Sequence, residues 1–178
     1  MINTIQDIDT IAVGLEQAFD SFATVCRKQN ESDFLKPLSP GKWSTAQHVD
    51  HLIKTTAPLN QALRMPKITL RTMFGKCNRP ERSFDDLISK YQQKLAEGGQ
   101  ATGRFLPKDN LETDKEKLIS ELLKEGSQLV EILKKWDEKR MSTFILPHPL
   151  LGKMTIREIL FFTIYHTNHH KKIIEQTF

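Results

Sequence analysis

Two cysteines in 178 residues, with no CxxC pair between them, leave no basis for a disulfide framework. Cys26 falls in an apolar stripe and Cys77 in a connection, which fits a reduced, cytoplasmic setting. No apolar stretch approaches the roughly 18 residues of a membrane span. The opening Met1-Ile2-Asn3-Thr4-Ile5-Gln6 has neither a basic leader nor an apolar run, so no signal peptide is expected. Charge of one sign is lacking as well. The 26 basic and 22 acidic residues are spread along the chain with doublets such as Lys134-Lys135, whereas a nucleic-acid surface concentrates its cations on one face. Glycine and proline, eight of each, are too few and too scattered to indicate disorder. What the chain does have is ten phenylalanines and 38% hydrophobic residues, enough for one core and one domain over residues 1–178.

Helical periodicity dominates. Ile5, Ile8, Ala12, Leu15, Phe19, Phe22 and Cys26 keep a 3,4 spacing that places them on one seam, with Thr4 and Asp7 as the cap. Pro37 and Pro40 interrupt the chain, and Ser44-Thr45-Ala46-Gln47 forms a capping box for a second helix. That helix carries Val49, Leu52, Ile53, Leu59 and Leu63, is kinked or shortened by Pro58, and fades at Met65-Pro66. Lys67 to Arg82 reads as a connection, and Ser83 to Asp86 caps a short helix that Gly98-Gly99 stops. Thr113-Asp114-Lys115-Glu116 reads as a capping box for the seam Leu118, Leu122, Gly126, Leu129, Leu133, Trp136, in a helix ending near Arg140. Pro147-His148-Pro149 is extended, and Thr155 with Glu158 caps a last helix to about Gln176.

Four long helices and one short one predict an all-α four-helix bundle. The modest loop between the first two makes them antiparallel. The roughly 50 residues between the second and third allow a crossover along the bundle, giving up-down-down-up order with the short helix in the crossover.

The seam of the last helix runs Ile156, Ile159, Thr163, His166, His170, Ile173, and is polar in its middle where a core helix should be apolar. Residues four apart lie about 5–6 Å apart on one face, so His166 and His170 can aim at one ion. Two buried imidazoles without a partner would be costly. His48 and His51 on the second helix supply candidates for a third ligand, and three imidazoles leave a coordination position open. The pattern is not His-Glu-x-x-His, because Thr167, Asn168 and His169 intervene, nor the Glu-x-x-His of a ferritin-type centre. At about 100° per residue, the stripe Val49, Leu52, Ile53, Leu63 is centred nearer His48. The small, polar edge Ser44, Gln47, His51, Thr55, Ala62 suits a cavity wall and argues for His51.

Gly41-Lys42-Trp43-Ser44-Thr45-Ala46-Gln47-His48-Val49-Asp50-His51-Leu52 resembles the tryptophan-serine-to-His-Leu motif of the DinB-like superfamily. His148-Pro149-Leu150-Leu151-Gly152-Lys153-Met154-Thr155, followed by Tyr165-His166-Thr167-Asn168-His169-His170, resembles its closing helix. The resemblance implies an up-down-down-up bundle, a homodimer, and a metal on His51, His166 and His170. Gln47, His48, Thr55, Thr163, Asn168 and His169 are then candidates for orienting the ligands or touching substrate, while Trp43 and Tyr165 read as packing residues and His148, between two prolines, as loop-shaping or as a cap on the mouth of the site.

The expectation is one divalent ion per chain, zinc or nickel ahead of iron or manganese, and a small-molecule substrate. Hydrolysis or transfer of a low-molecular-weight thiol would follow from activation by the ion. The competing reading is a non-catalytic metal-binding or stress-related module acting as a dimer. A closed site with four protein ligands would favour that one.

Overall fold

The computed structural model describes residues 7–109, 111 and 113–177. Four long helices form its frame: α1 (Ile8–Arg27), α3 (Thr45–Arg64), α6 (Lys115–Leu133) and α8 (Ile156–Glu175). Between them stand α2 (Glu31–Leu35), α4 (Lys67–Phe74), α5 (Phe84–Ala96), a 3-10 turn over Gly103–Phe105, α7 (Glu138–Thr143), and the strands β1 (Ile145–His148) and β2 (Gly152–Thr155).

Cross-helix contacts fix the directions. Lys171 reaches Ser21 while Gly14 lies against Ile164, so α1 and α8 run parallel. Arg27 pairs with Glu116 and Phe19 lies on Gly126, so α1 and α6 run antiparallel. Asn60 bonds Glu125 and Arg64 bonds Gln128, which makes α3 and α6 parallel. The order is up-down-down-up. The apolar seams close the core, with Ile11, Leu15 and Phe22 of α1, Leu52 and Leu63 of α3, and Leu122, Leu129 and Leu133 of α6 all fully buried. Across the α3–α8 side the facing residues are polar, and a cavity opens there.

The caps follow the sequence with one change. Ser44 with Gln47 and Thr155 with Glu158 are complete capping boxes, and Ser83 caps α5. Asp7 caps α1 by accepting from the Thr10 amide; Thr4 and Ile5 lie outside the described residues. Asp114, not Thr113, caps α6, because a carboxylate is the stronger acceptor for the orphan Lys117 amide. Pro58 does not end α3, which continues to Arg64.

The crossover holds more helix than expected. Lys67–Phe74, read as connection, is α4: Pro66 stops α3 but presets the backbone of the turn that follows, and fully buried Leu70 anchors it. The third long helix ends at Leu133 rather than near Arg140, and Asp137 starts the separate α7. The extended Pro147-His148-Pro149 stretch belongs to an antiparallel hairpin pairing Ile145 with Thr155 and His148 with Gly152. Among the described residues no helix is long and apolar enough to cross a membrane.

Candidate metal centre

Ser44 fixes where α3 begins, and His48 and His51 follow on its first two turns. Because α8 runs antiparallel to α3, its later half comes level with them, and His51, His166 and His170 meet in the interior. All three are buried. Nε2 of His166 stands 3.3 Å from Nε2 of His51 and 3.0 Å from Nε2 of His170. A tetrahedral ion with Zn–N arms of roughly 2.0–2.1 Å needs nitrogens about 3.3–3.4 Å apart. The three nitrogens fit one such ion, and among the described residues no carboxylate or thiol joins the group.

Proton positions favour the same conclusion. His51 Nδ1 lies 2.7 Å from the Phe105 carbonyl. A carbonyl only accepts, so Nδ1 carries the hydrogen and Nε2 presents a lone pair to the cluster. Burial holds His166 and His170 well below the ordinary 6.5, with the neighbouring histidines acting in the same direction. Burial lowers His51 too, against the opposing pull of the Phe105 carbonyl and Asp50. Neutral imidazoles are the form that binds metal.

Behind the three, His48 is buried with Nδ1 2.8 Å from Nδ1 of His170. It therefore meets the far side of a cluster residue rather than the cluster itself. Gln47 is taken up by the cap and by the Lys108 carbonyl, which its amide reaches at 3.1 Å. Thr55 and Thr163 line the cavity, each donating its hydroxyl to its own helix, at the Leu52 and Ile159 carbonyls. His169 also lines it, stacked on Tyr165. Asn168 lies off the lining.

The cavity encloses about 770 Å³. Its walls include residues that sequence reasoning left as packing or did not mark: Trp43, whose ring lies 5.0 Å from that of His51, and Tyr91, Phe105 and Phe162. His148 lines it too, with Nδ1 accepting from the Leu150 and Leu151 amides, so its Nε2 carries the hydrogen. Trp43 was findable, since it directly precedes the Ser44 cap. The Phe105 carbonyl was not, because a backbone acceptor leaves no mark in residue identity.

A crossover bundle with a buried trio of imidazoles open to a cavity defines the class of fold and site to which this chain belongs. The family follows from the chain itself: a sequence model of the DinB superfamily matches residues 14–174, and the protein belongs to that superfamily. Among solved structures it is similar to YfiT from Bacillus subtilis, described as a probable metal-dependent hydrolase with an unusual four-helix bundle topology. That likeness has 17% identity and a TM-score of 0.64, and covers 98% of this chain and 87% of YfiT. It is also similar to TT2238, a four-helix bundle protein, with 17% identity, a TM-score of 0.61, and 95% and 98% coverage. No curated protein sequence matches significantly.

Proposed function

We propose that this protein is a metal-dependent enzyme in which His51, His166 and His170 hold one divalent ion, zinc or nickel ahead of iron or manganese, and that it transfers a small thiol to its substrate. The observation that supports this reading is the set of three Nε2 atoms, with neighbours 3.0 and 3.3 Å apart, bordering a 770 Å³ cavity. Held by these three imidazoles, an ion would lower the pKa of a bound thiol or water and so supply a nucleophile near neutral pH.

The chain's own groups argue for the thiol. Among the described residues the cavity is lined by no Asp or Glu, so a base for water would have to be a histidine such as His169, whereas a thiol that reaches the site as thiolate needs none. Lys42 and Arg104 stand at its border and favour an anionic reactant. The Phe105 carbonyl holds the His51 ring in one tautomer, while Trp43 and Phe162 keep bulk water off the imidazoles. Hydrolysis is the second reading, favoured by the likeness to YfiT. A closed structural site is disfavoured because His48 faces His170 rather than the centre.

Elemental analysis of untagged protein is expected to give about one metal per chain. Replacing any one of His51, His166 or His170 by Ala should remove it. Loaded protein should then conjugate a small thiol to an electrophile faster than it cleaves esters. Full metal content in all three variants would overturn the site, and ester cleavage without conjugation would select hydrolysis.

A further inference from the structure

His48 is the one buried histidine of α3 that does not join the cluster, and its Nδ1 lies 2.8 Å from Nδ1 of His170. At that distance one nitrogen donates and the other accepts, since two lone pairs or two N–H groups would repel. We infer that His48 is a positioning residue which, by accepting a hydrogen bond at Nδ1, holds His170 in the tautomer whose Nε2 is free to bind metal. This inference rests on the metal-site reading above.

The geometry of the cluster supports this direction over the reverse. His51 donates from Nδ1 to the Phe105 carbonyl, so its Nε2 is a bare lone pair facing the cluster. His170 turns its own Nε2 to the same cluster, 3.0 Å from His166 Nε2, and an imidazole that keeps that nitrogen bare carries its hydrogen on Nδ1. That hydrogen points at His48, which accepts at Nδ1 and carries its own on Nε2. If His48 donated instead, the His170 hydrogen would sit on Nε2, the atom the cluster gathers.

Two ligands are thus set by different acceptors. The crossover's Phe105 carbonyl sets His51, and His48, three residues before it on the same helix, sets His170. Rings that arrive with the correct nitrogen bare need no proton rearrangement on loading, and loss of such an outer partner typically weakens metal binding about 10–100-fold.

The test uses His48→Phe, which keeps a ring beside Trp43 but has no acceptor, and His48→Asn, whose side-chain oxygen can accept near the position of Nδ1. Long-range 15N NMR of the histidine rings in metal-free protein reads the tautomer directly. His170 should be protonated at Nδ1 in wild type and His48→Asn, and should lose that single state in His48→Phe. Zinc competition against a chelating dye should show about 10- to 100-fold weaker binding in His48→Phe, still at one ion per chain, with most of the loss restored in His48→Asn. A proton on His170 Nε2 in wild type would overturn the inference, as would wild-type zinc affinity in His48→Phe. Zero stoichiometry in a folded His48→Phe would do so as well, by making His48 a ligand. If wild-type protein bound no zinc at all, the metal-site reading would fail while the tautomer measurement still decided the role of His48.

Discussion

Gly126 sits where α6 packs on Phe19 of α1, and a Cβ added there would lie 2.7 Å from Cδ2 of Phe19. Phe19 is 2% exposed and its ring has little room to retreat. Alanine in a helix is intrinsically better than glycine by about 1 kcal/mol, but forcing a buried ring aside costs roughly 1–3 kcal/mol. Gly126→Ala is therefore expected to be destabilising by about 1 kcal/mol in urea titration, and a more stable variant would show that the two helices can part. The same scale explains which site residues the sequence revealed. His166 and His170 were legible because one residue type broke an apolar seam at helical spacing. His51 was harder, since periodicity favoured His48. Both are buried, but the helix axis alone does not say which of two buried rings faces the α8 edge.

Among elements, the segment from Phe105 to Lys108 behaves as a strap over α3. His51 donates to the Phe105 carbonyl, Lys54 to the Leu106 carbonyl and Gln47 to the Lys108 carbonyl, while the Lys108 amide donates to Asp50 at 2.9 Å. Asp50 also pairs with Lys54 at 2.8 Å, so one carboxylate holds both sides of the strap. A hydrogen bond to a charged group contributes about 1.5–3 kcal/mol. Asp50→Ala should thus speed exchange of the Lys108 amide by roughly 10- to 100-fold, while amides in the middle of α6 stay unchanged. Equal acceleration in both places would mean general unfolding rather than release of the strap. None of this was legible beforehand, because four of the five contacts end on backbone atoms of an irregular stretch. The long helices were legible for the opposite reason: their caps and seams are written in side chains. α4 escaped because Pro66 was read only as the stop of α3, and α4 has no side-chain cap to announce it.

At the scale of the whole molecule, acid acts on two separate sets of groups. All six histidines are held below the ordinary 6.5, chiefly by burial, with His48 and His148 lowered to about 4. An unfolded chain restores ordinary histidines, so between pH 6.5 and about 4 it binds more protons than the folded one. Stability is then complete above pH 6.5 and falls as pH drops below it, by about 1.4 kcal/mol per pH unit for each histidine involved. The second set centres on Glu158, which is 1% exposed. Burial pushes its carboxyl up, but hydrogen bonds from Arg79 and from the Arg82 and Thr155 amides, with the charge of Arg82, outweigh that and hold it below 4.5. A depressed carboxyl contributes stability above its unfolded value and loses it below, so this limb begins only near pH 4.5. Metal-free protein should accordingly lose stability in urea titrations between pH 7.5 and 5.5, before any carboxylate limb begins. Zinc should raise stability throughout this range without moving the onset, because the protons are taken up by the histidines of the unfolded chain. Glu158→Gln should lower stability at pH 7.5 by about 3 kcal/mol, near the low end for removing one partner of a buried ion pair because Arg79 and Arg82 still reach water. It should leave the slope between pH 7.5 and 5.5 as it was. A metal-free protein equally stable at pH 7.5 and 5.5 would refute the histidine limb, and a slope altered by Glu158→Gln would show that the two sets are coupled.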